Sequence, residues 1–108
     1  MKTSLLIAAA FVALTITSVS AADAKENWDK ACTKCHGPAG KGDTKMGKKL
    51  GIKDLSDAKV QAGFTDEKAF KIIKEGLKDG DKTLMKPAEG LSDADIKALV
   101  ALTRSFKK

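Results

Sequence analysis

Tyrosine is absent from the 108 residues, tryptophan and histidine each occur once, and cysteine occurs twice. Each scarcity excludes something. Two cysteines and one histidine give only three nitrogen or sulfur donors, one short of a structural zinc site. A bond between Cys32 and Cys35 would close a loop too small to staple a domain. With a single imidazole, no second histidine can assist peroxide cleavage by acid–base chemistry. A formal charge of +6 invites a nucleic-acid reading, but the aromatic and motif content that reading needs is missing. The alternating strands and helices that accompany a thioredoxin-like pair are missing too.

What is present is concentrated. Both cysteines and the only histidine fall in Cys32-Thr33-Lys34-Cys35-His36, the c-type haem attachment pattern. The spacing has a chemical reason. On a helical turn Cys32 and Cys35 project from one side, and each thiol can add across one haem vinyl group. His36, next to the second anchor, is then held where its imidazole can bind iron.

The length allows one domain. Lys2, the apolar or small stretch Leu5 to Val19 and the small residues Ser18 to Ala22 have the layout of a secretory signal peptide. Residues 1–22 are read as that leader, cleaved after about Ala21 or Ala22, and 23–108 as the domain. As a retained anchor the apolar stretch falls short of the ~20 residues a bilayer requires, so no stable membrane insertion is expected. Export suits covalent haem attachment, which in bacteria is expected outside the cytoplasmic membrane. Without Lys2 and with two propionates added, the surface is modestly positive, which suits docking on acidic protein surfaces.

Asp23 to Cys35 is predicted as the first helix, with Asp23 and Glu26 at capping-box spacing and Trp28, Ala31, Cys32 and Cys35 on one face. Gly37 to Phe64 is glycine-punctuated and basic, with no room for a long helix; Leu50, Ile52, Leu55 and Val60 are expected to fold back onto the haem. Thr65 to Glu75 is the second helix, capped by Thr65. It ends at Gly76, with Leu77 packing back toward Ile72. Lys78 to Gly90 reads as a polar loop. The last helix opens with Ser92 as N-cap, Asp95 as the capping-box acid and Leu91 with Ile96 as a hydrophobic staple. Ile96, Leu99, Val100, Thr103 and Phe106 line one of its faces, while Arg104, Lys107 and Lys108 sit at the negative end of its dipole.

His36 fills one axial position, and methionine is the soft partner suited to electron transfer. Met1 leaves with the leader, so Met46 and Met85 remain. Met85 is favoured because its loop lies between two helices and is held by Pro87; Met46 or a lysine are the alternatives.

Helix, Cys-x-x-Cys-His, glycine-rich loop, middle helix, methionine loop and capped C-terminal helix together resemble the small class I c-type cytochromes of bacteria. Leu84-Met85-Lys86-Pro87-Ala88 is similar to the family's methionine segment, with Lys86 inserted where the usual form is Met-Pro. The resemblance implies an all-α cytochrome c fold, with three main helices and long loops wrapped around one covalently attached haem c. It implies crossed first and last helices, with Trp28 packed near Leu99 and Leu102. Pro38 stands too close to His36 to supply the carbonyl that often accepts from the ligand histidine, and that acceptor is unassigned. The function expected is that of a periplasmic, monomeric one-electron carrier between respiratory or other redox proteins, not an enzyme. Lys34, Lys45, Lys48, Lys49, Lys82 and Lys86 form its docking rim. A dedicated haem subunit of a larger oxidoreductase is the alternative, or an open-site haem enzyme or sensor if Met85 does not bind.

A mature chain this small has little core of its own and relies on the cofactor as a staple, with Trp28, Phe64, Phe70 and the aliphatic residues packing around it. The haem-free chain is therefore expected to melt without a cooperative transition when followed by circular dichroism. A native-like cooperative melt overturns that expectation.

Overall fold

Side chains that accept a hydrogen bond from a free backbone amide decide where most of the helices begin. The structure, a computed structural model, describes residues 21–108; the leader read at residues 1–22 therefore lies almost wholly outside the described residues. Three longer helices are α1 (Ala21–Ala31), α5 (Asp66–Glu75) and α6 (Asp93–Ser105). Three short ones are α2 (Thr33–His36), α3 (Lys45–Leu50) and α4 (Ala58–Ala62), and a hairpin of β1 (Leu77–Asp79) and β2 (Lys82–Met85) separates α5 from α6. No helix among the described residues is long and apolar enough to cross a membrane.

The predicted capping chemistry of the last two long helices is present. Ser92 Oγ accepts the Asp95 amide at 3.1 Å while the Asp95 carboxylate accepts the Ser92 amide at 3.0 Å, a complete capping box. Thr65 Oγ1 accepts from the Lys68 amide at 3.1 Å, and Asp66 and Glu67 place negative charge in the first turn of α5. At α1 the expectation fails: Asp23 lies inside the first turn of the helix and is not its cap.

α6 is the spine. Its buried residues are Ile96, Leu99, Val100 and Thr103, four of the five in the predicted stripe; the fifth, Phe106, is the half-buried C-cap. Leu99 is 0% exposed, and burial of such a side chain contributes about 1.5–3 kcal/mol. The Thr103 hydroxyl satisfies itself by donating to the Leu99 carbonyl at 2.9 Å. α1 and α5 both pack on α6. Trp28, Cys32 and Leu99 form the core cluster, with Leu55, Ile73, Leu91, Leu102 and Phe106 packed against it. Trp28 thus shares the core cluster with Leu99, Leu102 packs against that cluster, and Trp28 adds an edge-on contact with Phe106 at 5.0 Å between ring centroids. Ala31, placed on the core face by periodicity, is exposed.

Two further expectations are corrected. The stretch read as a polar loop contains the antiparallel hairpin, with Leu77 opposite Met85 and Asp79 opposite Lys82. Strands of three and four residues are too short to show a period of two. Leu77 does not fold back on Ile72; it enters β1 and is 40% exposed.

Polar anchors fasten the loop before α5 to the end of α6. Buried Gln61 donates from Nε2 to the Thr103 carbonyl at 2.8 Å and to the Leu55 carbonyl at 2.5 Å. Arg104, read from the sequence only as a charge complementing the helix dipole, does more. Its guanidinium reaches the Gln61 and Phe64 carbonyls, the Gln61 side-chain oxygen and the Asp66 carboxylate, and lies 4.2 Å from the Phe64 ring centroid. Phe70 has Lys74 over its face at 5.7 Å, and Lys74 also pairs with Asp93 at 3.0 Å, an exposed bridge of small weight.

Arg104→Ala strands two backbone carbonyls and Gln61 together, and is expected to destabilise the protein by about 2–3 kcal/mol. Ser92→Ala removes one cap and is expected to remove about 1 kcal/mol. Guanidinium denaturation of the two variants beside the wild type checks both the size and the order.

Candidate haem site

The cysteine turn begins where α1 is interrupted. The sequence predicts one helix through Cys35, but regular helix stops at Ala31 and resumes at Thr33. At Cys32 φ widens to −118°, although its amide still donates to the Trp28 carbonyl at 2.8 Å; the Thr33 hydroxyl also donates to that carbonyl, at 3.3 Å. The amides of Cys35 and His36 both then turn to the Cys32 carbonyl, at 3.2 and 2.9 Å. Cys32, Cys35 and His36 remain on one turn.

A helix end leaves carbonyls without partners, and here three residues supply them. Thr44 donates its hydroxyl to the Cys35 carbonyl at 2.7 Å. The Gly42 amide donates to the His36 carbonyl at 2.8 Å. Trp28 donates its indole Nε1–H to the Gly37 carbonyl at 2.9 Å in a buried bond. Thr44 in turn caps α3 by accepting the Gly47 amide at 2.9 Å. A Cβ on Gly47 would stand 2.5 Å from both the Cys35 and the Gly42 carbonyl oxygens, so α3 can press on the cysteine turn only with glycine there.

The residues that build this frame were missed from the sequence. Thr44 followed three residues later by a glycine, just before a short basic run, is a cap signal that could have been read. Nothing in the sequence marks Gly47 among its neighbouring glycines.

The electrostatics of the turn separate two chemistries. Burial pushes the Cys32 thiol up to about 11, with the neighbouring Cys35 charge adding to it. A redox dithiol needs the opposite, a depressed thiol in an electropositive setting. Both cysteines are free. Burial also lowers the His36 pKa, which keeps the imidazole neutral, the state that can ligate metal. Its ring lies 5.5 Å from that of Trp28 at a 41° tilt, and its buried Nδ1 has no hydrogen-bond partner. The acceptor left unassigned from the sequence is therefore not provided by any described residue. Among the described residues no cluster of three or more His, Cys, Asp or Glu side chains could hold a metal ion by itself. Two free thiols and a neutral imidazole on one turn instead fit a haem joined to the chain through both sulfurs.

Met85 is held elsewhere, as the last residue of β2, half-buried. Met46, the alternative, is half-buried in α3. The glycine-rich stretch contributes Leu55 to the core cluster, while Leu50, Ile52 and Val60 are half-buried.

The family model described as cytochrome c oxidase, cbb3-type, subunit III matches residues 19–102, a span that takes in the cysteine turn, the hairpin and most of α6. No curated protein matches the chain. Among solved structures it is similar to the KustC0563 c-type cytochrome, with 34% identity, 79% of this chain and 98% of that one covered, and a TM-score of 0.69. A tyrosine-to-phenylalanine mutant of that protein gives 34% identity, 79% and 99% coverage, and a TM-score of 0.67. Taken with a helical frame built about one Cys-x-x-Cys-His turn, these matches mean that the chain belongs to the c-type cytochrome family, with its cytochrome c fold, covalently bound haem c and role in electron transfer.

Proposed function

We propose that the protein is a periplasmic, monomeric, monohaem cytochrome that carries single electrons between respiratory or other redox proteins. Cys32 and Cys35 are the thioether anchors of one haem c, and His36 and Met85 its axial iron ligands. The observation that carries this reading is the cysteine turn, where two free thiols and a neutral imidazole are fixed by donors from Thr44, Gly42 and Trp28. When bound, haem supplies a one-electron ferric–ferrous couple. With Nδ1 of His36 buried in the protein, Nε2 is the nitrogen left to reach the iron. The Met85 thioether, a soft ligand that raises the reduction potential, would with His36 hold the iron and leave no position for a substrate. That arrangement favours carrying electrons over catalysis.

Export follows from reading residues 1–22 as a leader removed after about Ala21 or Ala22, leaving 23–108 as the mature domain. Lys34, Lys45, Lys48, Lys49, Lys82 and Lys86 are all exposed, and α3, which carries three of them, packs directly on the haem-binding turn. They suit brief, weak docking on an acidic redox partner. A second reading, a haem subunit of a larger oxidoreductase, is favoured by the oxidase subunit named in the family description. Purification from the native membrane and soluble fractions separates them: a carrier comes alone, a subunit with one large partner.

The central test is the optical spectrum of the exported protein, oxidised and reduced, beside Met85→Ala. A low-spin spectrum with the weak sulfur-to-iron band, lost in the variant, is the expected result. A high-spin or unchanged spectrum removes Met85 as ligand. Electron transfer to an acidic partner is expected to slow as salt rises, and a rate insensitive to salt counts against the docking rim.

A further inference from the structure

The Met85 segment is fastened to the end of α5 at successive points. α5 closes at Gly76, whose φ of 82° and ψ of −179° belong to a region essentially restricted to glycine. A Cβ at Gly76 would stand 2.6 Å from the Met85 carbonyl oxygen, 2.9 Å from Pro87 Cδ and 3.0 Å from Pro87 N. Two of these three are backbone atoms, which cannot swing aside. Just beyond, the Ala88 amide donates to the Ile73 carbonyl at 2.8 Å. Just before, Met85 is paired with Leu77, the residue after Gly76, at the hairpin's one irregularity.

Pro87 does not do this work alone. A proline restrains the residue that precedes it, and that residue is Lys86, so the torsions of Met85 are not set by the ring. Beside the strand pairing, the Met85 carbonyl is confined by its close approach to Gly76.

We propose that the contact between Gly76 and the Met85–Pro87 backbone positions the Met85 thioether for the iron, which makes Gly76 a positioning residue for axial ligation. The proposal rests on reading Met85 as a ligand. For a methyl group at Gly76 to reach ordinary van der Waals contact, the segment has to move outward by about 0.8 Å, beyond the ~0.5 Å within which a ligating side chain must be held. Removing the Pro87 ring loosens the same contact from its other side.

The experiment compares oxidised, haem-loaded wild type with Gly76→Ala, Pro87→Ala, Gly80→Ala and Met85→Ala. It reads the sulfur-to-iron band and the affinity for added imidazole, which competes with methionine. Gly80 is the control: it has a positive φ of 58° in the same hairpin, but a Cβ there meets nothing within 4 Å. The expected result is a weakened or absent band in Gly76→Ala with imidazole affinity raised about tenfold or more. Pro87→Ala should shift in the same direction and Gly80→Ala should match wild type. If Met85→Ala loses the band while Gly76→Ala keeps it with unchanged imidazole affinity, Met85 stands as ligand and the proposal is overturned. An equal loss in Gly80→Ala assigns the effect to hairpin strain and overturns it as well. Should Gly76→Ala fail to fold around haem, Pro87→Ala decides, and wild-type imidazole affinity in that variant overturns the proposal. A wild-type protein without the band removes both the ligand reading and the proposal built on it.

Discussion

The satisfaction of three consecutive carbonyls is the constraint on which the rest of the structure depends. A helix that stops at His36 leaves the oxygens of Cys35, His36 and Gly37 without intrahelical partners, and buried carbonyls left unpaired cost about 1–3 kcal/mol each. The donors come from Thr44, Gly42 and the Trp28 indole. Each brings an element with it. Thr44 starts α3, Gly42 holds the glycine-rich loop against the turn, and Trp28 joins α1 to the core face of α6. The thiols and imidazole are therefore oriented by the backbone beneath them.

A second frame, independent of the first, holds the other end of the molecule. Gln61 and Arg104 tie the segment around α4 to α6 with bonds to carbonyls. These anchors give a small protein rigidity that its few buried apolar residues, Ala24, Trp28, Cys32, Ile96, Leu99 and Val100, do not supply by area alone. The hairpin between α5 and α6 sits outside both frames, which is why its attachment falls to close backbone contact.

Features written in local chemistry were legible in the sequence. The Ser92–Asp95 box, the Thr65 cap and the apolar period of α6 each depend on residues a few positions apart, and all appear as read. The break at Cys32, where φ widens to −118°, was not legible, because the apolar spacing of the stretch stays helical straight through it. The hairpin was hidden by strands too short to alternate. Gln61 and Arg104 act on partners about forty residues away in sequence, and no local pattern encodes that distance. At the site the candidate ligands were readable from residue type, whereas the frame that orients the turn was not, since Gly47 and Gly42 serve through the absence of a side chain.

The packing of Trp28 on Leu99 bears on the order in which the chain comes together. Its partners come from the first and last helices of the described chain, so it is among the longest-range contacts of the described residues, and non-local contacts of that kind form slowly. Cys32 lies in that same cluster and is buried by it. Until the two ends of the chain meet, the thiol stays open to reagents from solution; once they meet, it is walled off. Access to the first anchor is thereby tied to the clock of folding, and the interface that gives the finished protein its core also sets how long that window stays open.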